Sequence, residues 1–419
     1  MRSRLKPFLV TFLFLFLVMH VAFGQALSLK ECLQRAVQSS FVLKAAQQQM
    51  RVKEKQAAMA KAKNLPQLFG LLDVERHRLQ AYGFYQQSSL LQADWALGGF
   101  LLKTDAVQQK EVQAAKQNQQ ALRLQVEGQV LQLFFDALKQ EKIGALLKER
   151  LHRLQLHRQV AEALWQAGSK TQLDVLQTEA RLLQLKEEIE RAFNQQQKVL
   201  NELALLIDWP AGKSLELKPV AAESLTQNPL PGLEESALRN HPLLQMLRLK
   251  QQAVGLRRKL VRAEQWPRLQ LNGGFVLDRD PTGDGDYWLT TIGVSLPVFQ
   301  WNATGLALQK LNAERLQLQN QQSARQRRLN IEAQKLRIEM QHLQQILQLQ
   351  SARLQKNEQA LELARANYKA GLITNLEFLA VQEQHSRAQI DLQTTQLDFA
   401  QRLAQFYLLT NQDEQLEQW

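Results

Sequence analysis

The histidines, acids and lone cysteine of this 419-residue chain are the residues that could do chemistry, and their spacing argues against most of it. The seven histidines are dispersed. The nearest two, His152 and His157, stand five apart, whereas residues three or four apart share a helix face. The stretch "DRDPTGDGDY", Asp278 to Tyr287, looks faintly like a calcium loop because Gly283 sits at its sixth position. Its twelfth residue is Leu289, where such a loop needs a bidentate Glu, so a solvated hairpin between strands is the plainer reading. There is no phosphate loop, no GxSxG and no paired-histidine metal motif. Cys32 is the only cysteine and reads as a small apolar helix residue. These residues predict a protein that is not an enzyme and that takes no cofactor and no metal.

Two other acids stand in a more informative setting. "WQAGSKTQLDVLQTEA" (Trp165 to Ala180) and "YKAGLITNLEFLAVQEQ" (Tyr368 to Gln384) share an aromatic, a Gly three later, a Thr three after the Gly and an acid three after the Thr. Gly168 and Gly371 admit the positive φ that ends a helix. Thr171 and Thr374 can cap the helix that follows, and Asp174 and Glu377 then fall in its first turn, where the helix dipole favours an acid. Local capping alone explains much of this motif.

The elements that carry these turns are long. Leu306 to Ala370 contains neither Gly nor Pro, and as a helix its 65 residues would span about 98 Å. Leu329, Leu336 and Leu343 repeat every seven residues. Leu347, Leu354 and Leu361 do so again after a four-residue step, which locally relaxes a supercoil. Leu124, Leu131 and Leu138 form a similar seam earlier. The remainder is rich in Gln, Lys, Glu and Arg, so such helices must lie side by side with much of their surface wet.

The chain is a duplication. "AVQSSFV" (Ala36 to Val42) aligns with "ALRNHPL" (Ala237 to Leu243), Pro66 with Pro267, and "DWALGG" (Asp94 to Gly99) with "SLPVFQ" (Ser295 to Gln300), each at an offset of 201. The two turn glycines follow at 203. The organisation predicted is a signal peptide over 1–24, a first repeat over 25–207, a proline-rich connector over 208–232, a second repeat over 233–410 and a tail over 411–419. The leader is basic at Arg2, Arg4 and Lys6, apolar from Phe8 to Phe23, and ends in small residues at Ala22 and Gly24. An uncleaved anchor is the alternative, for which the run is short. The net charge of +12 is scattered along helices of an exported chain, which argues against a nucleic-acid partner.

Each repeat also holds two segments of period-two alternation, predicted as strands over about 67–78, 88–98, 267–278 and 287–298. Leu68, Gly70, Leu72 and Val74 share one face of the first. Ser89, Leu91, Ala93 and Trp95 do so in the second, Leu269, Leu271, Gly273 and Phe275 in the third, and Trp288, Thr290, Ile292 and Val294 in the fourth. Lengths of about 9–11 residues with one apolar face fit strands of an outer-membrane barrel. Trp95, Trp266, Trp288 and Trp301 lie at or near strand ends, where membrane interfaces gather aromatics. A small soluble sheet is the bland alternative. Four strands cannot close a lumen that needs about eight, and open edges are not tolerated in lipid, so the pattern asks for several copies.

Taken together, the duplication, the proline before each strand pair, the "VSLPVFQ" stretch and the two glycine turns resemble the outer membrane efflux protein family of the TolC type. The resemblance covers essentially all of the chain after the leader. It implies a mainly α fold with a small β part: a homotrimer whose four strands per chain build a 12-stranded outer-membrane β-barrel, continued by long helical hairpins as a periplasmic α-barrel. The implied function is an outer-membrane exit duct of a tripartite efflux or type I secretion system, set in outer-membrane lipid and passively conducting substrate from an inner-membrane pump and a periplasmic adaptor to the exterior. The rival is a periplasmic coiled-coil adaptor or structural protein without a barrel.

The resemblance also implies roles for the turns. Gly168, Ser169, Lys170 and Thr171 in the tip over about 167–174, and Gly371, Leu372 and Thr374 in the tip over about 368–377, would dock the adaptor. Asp174, Tyr368 and Glu377 would form the periplasmic gate, with Tyr368 linked to Asp174, so that Tyr368→Phe would raise leak conductance. An arginine expected two after the second glycine is Ile373 here, with Leu173 as its partner position. A second acid of the constriction is replaced by Ala380. One link and one ring of acids are therefore missing.

Overall fold

A computed structural model describes residues 26–65, 67–78, 83–96, 105–226, 229–232, 238–278 and 285–418. The leader, Pro66, the last residues of "DWALGG" and most of the acidic loop after Asp278 lie outside them. In chain order the elements are α1 (Leu29–Ser39), α2 (Phe41–Ala62), β1 (Gln67–Arg78), β2 (Gly83–Ala96), α3 (Asp105–Gln166), α4 (Gln172–Leu206), α5 (Ala222–Thr226), α6 (Pro242–Ala263), β3 (Arg268–Asp278), β4 (Tyr287–Ser295), α7 (Ala303–Lys369), α8 (Asn375–Leu409) and a closing 3₁₀ turn (Asp413–Gln418). Contacts divide the chain into two compact units. One comprises Met1–Ser40, Arg123–Glu234 and Ile331–Trp419, the other Phe41–Leu122 and Glu235–Asn330.

The second unit holds the sheet, antiparallel throughout in the order β1-β2-β3-β4. Its register pairs Gly70 with Leu91, Leu91 with Phe275, and Phe275 with Trp288. One residue from each strand's apolar set therefore lines up across the sheet, so the four sets share one face. On β4 that face is bare: Trp288 is 79% exposed, Ile292 71% and Val294 70%. β1 and β4 are the two edges. β2 begins at Gly83 rather than 88, because Phe84 and Tyr85 continue the ladder against His77 and Arg76. The polar run "QQSS" hides that extension from a hydrophobic pattern. β4 ends at Ser295, short of 298. The helices of this unit pack Ala114, Met246 and Leu247 together, with Leu243, Leu249 and Leu318 around them. Beside that cluster Glu111 receives Lys53 at 2.8 Å and also Arg257, whose other arm reaches Glu314 at 3.6 Å.

In the first unit the heptad leucines face inward. Leu336, Leu347 and Leu361 are buried on α7, and Leu131 and Leu138 on α3. One core gathers Leu336, Met340 and Leu347 of α7 against Phe399, Leu403 and Phe406 of α8. A second gathers Leu147 and Leu154 of α3 with Leu185 and Ala192 of α4. α1 starts in a full capping box, Ser28 with Glu31. Leu27 pairs with Leu217 of the connector, and Arg35 lies over the Trp209 ring at 4.9 Å. Cys32 is buried here, its thiol pushed up to about 12 by loss of water. The connector is not wholly irregular: α5 forms within it, and Pro210, Pro219, Pro229 and Pro231 all fall outside that helix.

Candidate functional site

Both glycine turns lie in the first unit. Gly168 has φ 72° and Gly371 φ 77°. Each closes its helix by the same hydrogen bonds. Ser169 N donates to Leu164 O at 2.9 Å, and Leu372 N donates to Asn367 O at 2.9 Å, satisfying carbonyls that the helix end leaves open. A side chain at either glycine would meet open space, so conformation and not crowding selects Gly.

Thr171 and Thr374 begin the return helices in extended conformation. In the second turn the box is complete. Glu377 N donates to Thr374 Oγ1 at 3.2 Å, and the Glu377 carboxylate accepts from Thr374 N at 2.8 Å. Those hydrogen bonds hold the Glu377 carboxyl below its ordinary value, although it is fully exposed. In the first turn the shorter Asp174 still reaches back to Thr171 N at 3.2 Å. Asp174 N donates to the Thr171 carbonyl at 3.1 Å.

Tyr368 departs from the expectation. It is 1% exposed, and its hydroxyl has no hydrogen-bond partner among the described residues. No hydrogen bond joins it to Asp174, whose carboxylate is engaged by Thr171. Burial, and then the nearby Asp174 charge, push the phenol up to about 12. Its ring works as packing, with Leu361, Ala364 and Phe378. Ile373 joins that cluster, while Leu173 and Leu372 stay exposed.

What joins the two turns is a buried polar junction that the sequence pattern missed. His157 Nε2 lies 2.8 Å from Asn375 Oδ1. Asn375 Nδ2 donates to the Asp174 carbonyl at 2.9 Å and to Thr178 Oγ1 at 3.2 Å. Thr178 Oγ1 donates to the same carbonyl at 2.8 Å. With both amide hydrogens used, Asn375 Oδ1 is the acceptor, so His157 donates from Nε2–H. The imidazole stacks on Phe378 at 4.1 Å and lies 4.8 Å from the Tyr368 ring. Outside this junction Lys170 Nζ donates to Ile373 O at 3.0 Å and lies 4.8 Å over the Tyr368 ring. About two helical turns on, Glu383 of α8 receives Arg181 of α4, with Arg150 of α3 at 3.8 Å. The repeat comparison gave no signal for the junction. At the 203 offset His157, Asn375 and Thr178 correspond to Ala360, Gln172 and Val381.

The fold is thus a duplicated pair of helical hairpins, each carrying a strand pair and ending in a capped glycine turn. The chain belongs to the outer membrane efflux protein family, whose pattern it matches over residues 32–207 and 233–412. As a member it is an outer-membrane efflux duct. That membership sets aside the adaptor reading. The fold is similar to a solved structure of CusC, at 18% identity over 93% of each chain and a TM-score of 0.82. It is also similar to VceC of Vibrio cholerae, at 17% identity over 91% of this chain and 96% of that one, with a TM-score of 0.76. The open-state MtrE outer membrane channel of Neisseria gonorrhoeae is 18% identical over 91% and 88%, with a TM-score of 0.77. No curated protein sequence matches the chain.

Proposed function

We propose that three copies of this chain join their sheets, β4 of one against β1 of the next, into one barrel, and that the paired tips form the periplasmic mouth. The observation that carries this reading is the sheet: four strands, one bare apolar face and two free edges. Lipid covers the apolar face, and neighbouring copies satisfy the edges, which nothing else can do inside a bilayer. Four strands from each of three copies exceed the roughly eight that a lumen needs.

At the mouth, Asp174 and Glu377 both turn back to cap their own helices, and Glu377, the fully exposed one, still offers its carboxylate to the gate. Tyr368 contributes as a buried wedge between the tips. The exposed Leu173, Leu176, Leu372 and Leu376 around Gly168 and Gly371 offer an apolar rim to a periplasmic adaptor, with an inner-membrane pump behind it. The experiment is extraction. The protein should stay in outer-membrane vesicles through a high-salt wash, leave only with detergent, and then run at three times its chain mass. Release by salt, or a monomer in mild detergent, would contradict the reading.

A further inference from the structure

Among the described residues, the junction of His157, Asn375, Asp174 and Thr178 is the place where a buried titratable side chain bridges elements of both repeats. We propose that His157 and Asn375 form a latch between the two tips of one chain, and that a proton on His157 releases it. The inference rests on the reading of the tips as the mouth.

The geometry makes the imidazole a poor place for charge. His157 and Asn375 are both almost wholly buried, and Thr178 is fully so. His157 on α3 is stacked against Phe378 of α8 and faces Tyr368 of α7, two rings and a phenol that stays neutral. From α4 it feels the Asp174 carboxylate, which favours a proton but is committed to Thr171. Lys170, in the first turn, holds a positive charge over the Tyr368 ring. On α3 itself, Arg158 is paired with Glu179 and Glu162. Arg153 reaches Gln389 of α8, next to His385 and Glu358. Glu377, at the start of α8, is exposed and turned to Thr374. Desolvation outweighs both the Asn375 hydrogen bond and the Asp174 charge, each of which favours the proton, so the ring is held below its ordinary value of 6.5 and it is burial, not the hydrogen bond, that refuses the charge.

The sign follows. A group that refuses its proton in the latched state binds it in the released, wet state. The latch is at full strength above about pH 6.5 and weakens as pH falls below it. At pH 5.5 an ordinary imidazole is protonated about ten to one, so opening should rise by up to about ten-fold relative to pH 7.5.

Amide hydrogen exchange of the full-length protein in detergent, corrected for intrinsic rates, reads this without any transport assay. In the wild type, protection of peptides covering 157–178 and 365–378 should fall up to about ten-fold between pH 7.5 and 5.5. His157→Gln keeps a donor to Asn375 without a titrating group, and its tip protection should be flat over that range. Asn375→Ala should show at pH 7.5 the exchange that the wild type shows only at 5.5. The same pH response in wild type and His157→Gln would overturn the latch, as would unchanged tip exchange in Asn375→Ala. Loss of the mouth reading would appear separately, as tips that exchange as described in a protein that conducts nothing.

Discussion

Lys170 Nζ donates to the carbonyl of Ile373 at 3.0 Å, so the turn of the first repeat holds the turn of the second by a charged hydrogen bond to backbone. The two residues lie at the same offset of 203 as the glycines beside them. Replacing Lys170 with Met keeps the aliphatic stem over Tyr368 and removes the bond. Partial exposure discounts the bond's strength, so tip opening should become easier by about 1 kcal/mol, or roughly five-fold in exchange. Exchange in the remaining helices should not change.

Tyr368→Phe tests the buried hydroxyl. With no partner for it, removing the oxygen spares its loss of hydration. Thermal unfolding should be unchanged or slightly later. A drop of more than about 1 kcal/mol would mean that the hydroxyl holds a hydrogen bond in the assembled protein.

Gly371→Ala forces an L side chain to a φ of 77°, although space for it exists. The expected loss is about 1–2 kcal/mol in chemical denaturation, with a similar loss for Gly168→Ala at 72°. Gly128→Ala, inside α3 and also unobstructed, should instead be neutral or stabilising.

Capping and gate charge separate at Thr374 and Glu377. Thr374→Ala removes the hydroxyl that caps α8 and should cost about 1 kcal/mol. Glu377→Gln keeps an oxygen that can accept from Thr374 N, so the start of α8 should survive while the exposed charge is lost. Cation-over-anion preference in a salt gradient should fall in Glu377→Gln and not in Thr374→Ala.

Phe406 is fully buried between α7 and α8 with Met340 and Phe399. Phe406→Ala should destabilise the first unit by about 3–5 kcal/mol, read by denaturant midpoint.

The repeated features of this chain were the legible ones. Heptad leucines marked α7 because burial along one seam imposes the seven-residue period. The glycines marked the turns because only Gly takes their φ without strain, and period-two alternation marked the strands because one face meets a single environment. What stayed hidden was what the two repeats do not share. His157, Thr178 and Asn375 come from three helices and meet only after folding, and none has its like at the matching position of the other repeat. His157 in particular looked isolated, because pairing within one helix was the wrong test for a residue whose partner lies 218 positions away. The fate of Asp174 was hidden for a different reason. One carboxylate could serve Tyr368 or Thr171, and the nearby backbone N–H took it.

A passive duct conducts by itself, without an energy source. Purified protein added to one side of a planar lipid bilayer tests it most directly. Stepwise currents, linear in voltage and needing no nucleotide or ion gradient beyond the applied field, are the expected result. A bilayer that stays at its baseline conductance with folded protein present on either side would contradict the account.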